Sequence, residues 1–388
     1  MQKIETMQND KVINYSNKLD ISIATKVVWA IKQNQLTDAI TALRELTDSL
    51  FPKAWIKSTE YALKTGDWLT LSDAFIKGEF IGQDGYFLLI APYQLESKGG
   101  KFIKLSALLG QQKLLDNVPT ERVEEQIWNI FGVMYQPLPV FIPFICLCAA
   151  GHHGFETSEA LILPELWMIP DSVNGPVLSN LTQHRHRFYR SVKKNIRRIF
   201  EPSTAKLLLE SLTDEEIGVE RQSREYWYHE ASHATGLGIR HKVRNNLLLT
   251  NWYSGIEEWR TDGVEFELAV RTLPNEEIGK LVAANLCLRF GVDAQRTTNS
   301  DLDTHAICSL LMLDCFLRSG VFCIQDNQLA LCNPNNENLA KTVEMHRTEA
   351  ILLTREEIAV ESIDCYQLIK VEQEIREIFQ KFVIKPCL

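Results

Sequence analysis

A chain of 388 residues with 45% apolar and 23% charged side chains can bury a core, which excludes the disordered and fibrous classes. The length fits two domains or one large helical body with a smaller module, and the formal net charge of −9 gives no long-range attraction for nucleic acid or an anionic membrane surface. The nine cysteines are scattered, forming neither a paired framework nor a zinc-ribbon spacing, and read as the reduced thiols of a cytoplasmic protein.

In chain order, residues 1–14 are polar and contain Glu5, Asp10 and Lys11, so they lack the apolar core of a secretory signal. From 21 to 65 apolar residues recur at spacings of three and four, as in IATKVVWAIKQNQLTDAITALREL, which predicts helices with Pro52 marking a start or a break. From Trp68 to Leu109 the pattern changes to short β-rich pieces, GYFLLIAPY and KFIKLSAL, with turns at Asp84-Gly85 and Gly99-Gly100; a small sheet is expected. TERVEEQIWNIFGVM predicts a helix, and the 11 residues Val140 to Ala150 form the most apolar run. That run is too short to cross a hydrocarbon layer of about 30 Å and contains Pro143, so it reads as a buried strand or core segment. His152 and His153 follow on a loop and read as surface histidines.

After Pro170 the pattern is helical through about residue 272, beginning with the basic stretch HRHRFYRSVKKNIRRIF at 184–200, which reads as a solvated helix. Its His184 and His186 are two positions apart and point to different faces. NEEIGKLVAANLCLRFG and DTHAICSLLMLDCFLRSG continue as helices, the second stopped by Gly320. VFCIQDNQLALC reads as a β-hairpin turning at Asp326-Asn327, and 366–383 as a last helix. The fold class expected is mainly α with a smaller β-containing part (α+β). Its expected division is an N-terminal α+β domain over 1–170, a helical metal-binding catalytic domain over 171–320, and a C-terminal hairpin and helix over 321–388 packing on the catalytic domain.

The chemistry concentrates in residues 225–238, EYWYHEASHATGLG, where His229-Glu230-Ala231-Ser232-His233 is an HExxH motif. On a helix, positions 229 and 233 lie one above the other, so both imidazoles can reach one ion at about 2.0–2.1 Å. Glu230 is offset by about 100°, near the ion without ligating it, as suits a carboxylate that takes a proton from water. A third ligand is needed, and GIEEWRTD offers Glu258, 25 residues beyond His233, with Asp262 one helical turn further on. Glu258 can coordinate while Asp262 accepts the N–H of a ligand histidine and fixes its tautomer.

HExxH followed on a second helix by Glu-x-x-x-Asp resembles the gluzincin metallopeptidases, whose third zinc ligand is a glutamate. EEWRTD resembles the E-E-C-R-A-D/E motif of the dipeptidyl peptidase III family, where the second glutamate is the ligand; the resemblance selects Glu258 over Glu257 and implies a zincin-like helical metal site. That family inserts one residue between its two histidines, whereas this chain keeps the four-residue spacing of ordinary gluzincins. The metzincin pattern HExxHxxGxxH is met up to Gly236 but fails at Ile239, leaving His241 as an alternative ligand two residues late.

The function expected is a metal-dependent hydrolase, a zinc peptidase or aminopeptidase acting on short peptides, with Glu230 as general base. A donor to the developing oxyanion is sought among Tyr226, Tyr228, Tyr253 and His305, with Tyr228 and His305 the first choices and Asp301 or Asp303 orienting His305. Arg260 is expected to pair with Glu257 or Glu225. Two histidines and a carboxylate are also the ligand set of non-haem Fe2+ oxygenases, so modification of a peptide or small molecule is the alternative, with Arg289 or Arg296 available for a cosubstrate carboxylate. In that chemistry Glu230 would be superfluous. A non-catalytic structural metal site is the third reading, although closed sites normally use four ligands, often cysteine, and no cysteine is near the motif in sequence.

Overall fold

The computed structural model describes residues 2–46, 50–97, 100–113, 119–134, 137–150, 160–162, 177–210, 212, 215–235, 251–295 and 303–359. His152, His153, His241, Arg296, Asp301 and the expected helix at 366–383 lie outside the described residues. The chain divides into two compact units, one formed by Met1–Asp116 and Pro139–Gln183, the other by Asn117–Leu138 and His184–Leu388.

The first unit sets helices α1 (Gln2–Lys32), α2 (Leu36–Glu45), α3 (Lys53–Thr65) and α4 (Leu69–Ile76) with a five-stranded sheet. Pro52 caps the start of α3, and Gly66, at φ +76°, ends it in the left-handed conformation. Strands β1 (Tyr86–Ser97) and β2 (Gly100–Gln112) form a long antiparallel hairpin, followed by β3 (Phe141–Ala150), β4 (Ala160–Ile162) and β5 (Val177–Asn180) in the order β1-β2-β3-β5-β4. Trp55 Nε1 donates to Leu88 O at 2.8 Å, tying α3 to β1 through a buried indole. Gly110 is required where it stands: a Cβ there would meet the Phe87 ring at 2.5 Å.

Two segments depart from the reading above. Leu69–Ile76 is helical where β-rich pieces were expected, because LTLSDAFI has neither strict alternation nor β-branched enrichment. Val177–Asn180, inside the stretch read as helical, is instead a fully buried strand parallel to β3, too short to carry a periodic signal. Val140 to Ala150 supplies β3, as one of the two options for it anticipated.

The second unit is helical around one central element. Its helices are α5 (Thr120–Phe131), α6 (Leu181–Arg187, whose first turn belongs to the first unit), α7 (Lys193–Ile199), α8 (Pro202–Glu210), α9 (Glu215–Ser232), α10 (Asn251–Thr272), α11 (Asn275–Gly291), α12 (Thr304–Arg318), α13 (Asn336–Thr342) and α14 (Glu344–Ala359). A π-helical turn, Phe188–Val192, joins α6 to α7, and His184, Phe188, Val192 and Ile196 along this run are buried. The basic stretch therefore has one face in the core and is not solvated all round. Hairpin β6 (Phe322–Gln325) and β7 (Gln328–Leu331) turns at Asp326 and Asn327, both at positive φ as a two-residue hairpin turn requires.

Helix α10 packs against α5, α9, α11, α12 and α14, and every residue from Trp259 to Ala269 is buried. Gly255 and Gly263 allow that crowding: a Cβ on Gly255 would meet Ile307 of α12 at 2.5 Å, and one on Gly263 would meet His346 of α14 at 2.9 Å. A helix buried on all sides is normally apolar all round. This one carries Glu257, Arg260, Asp262 and Glu265 into the core, and a buried charge needs a partner. Among the described residues no helix is long and apolar enough to cross a membrane.

Candidate metal centre

The partners of those buried charges build the site. At the C-terminal end of α9, His229 closes the last α-helical turn and His233 opens a 3-10 turn, His233–Thr235. The two rings stand nearly perpendicular, 88° apart, and their Nε2 atoms approach to 3.2 Å. Glu258 of α10 reaches between them, with Oε2 3.1 Å from His229 Nε2 and Oε1 3.9 Å from His233 Nε2. One donor atom from each of these three side chains lies within 4.8 Å of the other two, so the group could hold a single ion.

Behind each imidazole stands a carboxylate gripped by a buried arginine. His229 Nδ1 donates to Asp262 Oδ1 at 2.8 Å, so that in the neutral ring the lone pair lies on Nε2, facing Glu258 and His233. Asp262 in turn accepts from Arg289 of α11 twice, Nε to Oδ2 at 2.7 Å and Nη2 to Oδ1 at 2.6 Å, and from the Cys308 thiol at 3.3 Å. On the other side His233 Nδ1 lies 3.3 Å from Thr261 Oγ1 and 3.8 Å from Glu257 Oε1. Glu257 is forked by Arg260 at 2.9 and 2.6 Å, and Arg260 also donates to Thr235 and Thr354. Of the two partners expected for Arg260, the structure selects Glu257.

His229, Asp262 and Glu265 also cluster closely enough to suggest an ion between them. The hydrogen bonds argue otherwise. Both oxygens of Asp262 already accept two donors each, and a cation there would face the Arg289 guanidinium.

The electrostatics follow from the same contacts. Burial would push the His229 imidazole down, but Asp262 and Glu258 against its two nitrogens hold its pKa well above the ordinary value. Burial opposes ionisation of Glu258 and Asp262, yet the histidines, and Arg289 beside Asp262, keep both well below the usual carboxylate range. At Glu225 and Glu265 burial prevails over the His229 and Arg289 charges: desolvation raises Glu225 to about 7 and lifts Glu265 well above its ordinary value, with Asn285 donating to both.

The remaining candidates separate. His305, at the start of α12, lies with Nδ1 3.2 Å from Asp303 Oδ1 and Nε2 3.9 Å from Glu258 Oε2, so it joins the cluster. Tyr228 does not: its buried hydroxyl pairs with Thr272 Oγ1 at 2.7 Å. Thr272 is 14 positions beyond Glu258 on α10, about 21 Å along the axis. Tyr226 is the tyrosine on the histidine face, and its hydroxyl hydrogen-bonds Glu230; burial first, then the Glu230 charge, push the phenol pKa well above its ordinary value. Arg289 is committed to Asp262 and Asp293 and is not available to a cosubstrate. The roles of Arg289, Asn285 and Cys308 behind the site escaped the sequence reading. Their only signal was polar residues at four-residue spacing, Asn285, Arg289 and Asp293, within and just beyond an apolar helix.

The model of one protein family, described as a family of unknown function (DUF6014), matches residues 12–317. No curated protein matches the chain. Among solved structures, that of DPP III from Caldithrix abyssi aligns with a TM-score of 0.56 at 15% identity, covering 90% of this chain and 69% of that one. That of dipeptidyl-peptidase III from Corallococcus sp. strain EGB aligns with a TM-score of 0.51, also at 15% identity, covering 90% and 67%. At such identity the likeness establishes a shared fold.

Proposed function

We propose that this chain, which belongs to the family of unknown function DUF6014, is a metal-dependent hydrolase, a zinc peptidase or aminopeptidase acting on short peptides. The observation that carries the reading is the spacing of the three donors. Ligands held at about 2.0–2.1 Å around a tetrahedral ion stand about 3.3 Å apart. Here His229 Nε2 lies 3.2 Å from His233 Nε2 and 3.1 Å from Glu258 Oε2, while the other Glu258 oxygen, Oε1, is 3.9 Å from His233 Nε2, and one donor atom of each side chain lies within 4.8 Å of the other two, so His229, His233 and Glu258 would hold the ion. Three protein ligands of this type leave a position open, as catalytic sites do. The fold shared with the two peptidase III structures agrees with this reading.

When bound, Zn2+ supplies Lewis acidity, making water a nucleophile near neutral pH and polarising a peptide carbonyl. Glu230 takes the proton of that water and delivers it to the leaving amine, the two halves of general base and general acid catalysis. Tyr226 holds the Glu230 carboxylate in place through its hydroxyl. His305, oriented by Asp303, presents Nε2 on the Glu258 side of the cluster, where an Nε2–H would donate to the carbonyl oxygen as charge develops there. Tyr228, engaged with Thr272, has no part in this reading.

Protein purified without a chelating column tests the proposal. Zinc near one equivalent is expected in the wild type and in Glu230→Gln, with His233→Ala losing it and peptide hydrolysis abolished in both variants. Iron with dioxygen-dependent turnover would instead select the Fe2+ oxygenase, and bound metal without any turnover the structural site.

A further inference from the structure

Asp262 explains how His229 is oriented, but an aspartate on a buried helix has several rotamers, and the question is what holds Asp262 itself. Arg289 does so with a fork. Two adjacent guanidinium N–H groups meet both carboxylate oxygens at 2.7 and 2.6 Å, an arrangement that fixes the plane of the carboxylate as well as its position. The same Nη2 lies 3.5 Å from Glu258 Oε2, so the guanidinium faces two of the three candidate ligands or their support at once. Arg289 is itself fixed from behind, with Nη1 donating to Asp293 Oδ2 at 3.0 Å and its backbone carbonyl accepting from Ser309 at 2.9 Å. All of this is sealed: Arg289 is 2%, Asp262 0% and Asp293 1% exposed.

We propose that Arg289 is a positioning residue of the metal centre, locking Asp262 so that His229 keeps its Nδ1–H tautomer and aims Nε2 at the ion, while holding Glu258 to one orientation. The proposal rests on the hydrolase reading above. It assigns to α11, which contributes no ligand, control over metal affinity. A guanidinium is needed because a lysine ammonium is a point charge that cannot bind both oxygens in one plane. A salt bridge serving only to tie α11 to α10 would tolerate that exchange at the metal site, since the charges still pair.

The test compares wild type, Arg289→Lys and Asp293→Asn for Zn2+ affinity, by competition with a chromophoric chelator, and for the visible spectrum of the Co2+-loaded protein. Thermal unfolding of the metal-free proteins is measured alongside. Arg289→Lys is expected to bind Zn2+ about 10–100-fold more weakly, the usual effect of disturbing a group behind a ligand, with an altered Co2+ spectrum. Wild-type affinity and spectrum in Arg289→Lys, with only the metal-free melting temperature lowered, would reduce Arg289 to a tie between helices and overturn the proposal. Should Arg289→Lys fail to fold, Asp293→Asn decides, since it loosens the guanidinium without removing it: weakening of several-fold supports the role and unchanged affinity refutes it. A wild type that binds neither Zn2+ nor Co2+ overturns the hydrolase reading itself and is thereby distinguished from failure of the Arg289 role alone.

Discussion

Tyr226 and Tyr228 stand two positions apart on α9 and do different work. Their side chains differ by about 200° around the helix, which sends one hydroxyl to Glu230 and the other to Thr272. Tyr226→Phe should lower kcat by about tenfold with little change in KM, because it frees the Glu230 carboxylate proposed to carry the proton. Tyr228→Phe should leave both constants alone and lower stability by about 1 kcal/mol, since Thr272 still donates to Leu268 O. Steady-state kinetics with denaturant unfolding separates the two, and a Tyr228→Phe variant with impaired kcat would reverse the assignment. The pairing of 229 with 233 was legible because a four-residue step on a helix fixes a shared face. Tyr226 shares that face, three and seven positions before the histidines, so periodicity alone contained the signal that favoured it over Tyr228.

At the level of elements, the interface between α10 and α14 shows what the sequence concealed. His346 stacks on Trp259, with ring centroids 4.7 Å apart and 20° between planes, and its Nε2 donates to the Trp259 carbonyl at 2.7 Å. Gly263 makes the approach possible. Burial lowers the pKa of His346 to about 4 from an ordinary 6.5, and does the same to His184. The unfolded chain therefore takes up protons at these positions first as pH falls. Their contribution is complete above about pH 6.5 and lost as pH drops toward 4, by about 3 kcal/mol for a group shifted this far. Unfolding free energies of wild type and His346→Gln across pH 4–8 check this: the variant should fall less steeply between 6.5 and 4. Equal slopes would mean that His346 is not buried neutral. None of this packing was legible beforehand, because EMHRTEAILLTREEIA has weak amphipathic patterning and its burial depends on a glycine 83 positions earlier than His346.

For the molecule as a whole, the mainly helical composition with a small sheet followed from periodicity and turn residues. The hairpin at Asp326-Asn327 and the stop at Gly320 were marked by residues that tolerate positive φ. What escaped were elements fixed by tertiary burial alone, such as β5 and α4, and the ionic network behind the candidate ligands, which joins α9, α10, α11 and α12 across sequence separations no local pattern reports. The end of α9 and the body of α10 converge on one point in space, between His229, His233 and Glu258. X-ray absorption at the zinc edge of the loaded protein examines that point directly. Expected are about four nitrogen or oxygen scatterers at about 2.0–2.1 Å, with the outer-shell signature of two imidazoles, and one protein oxygen fewer in Glu258→Ala. A sulfur shell at about 2.3 Å, or fewer than two imidazoles, would contradict it.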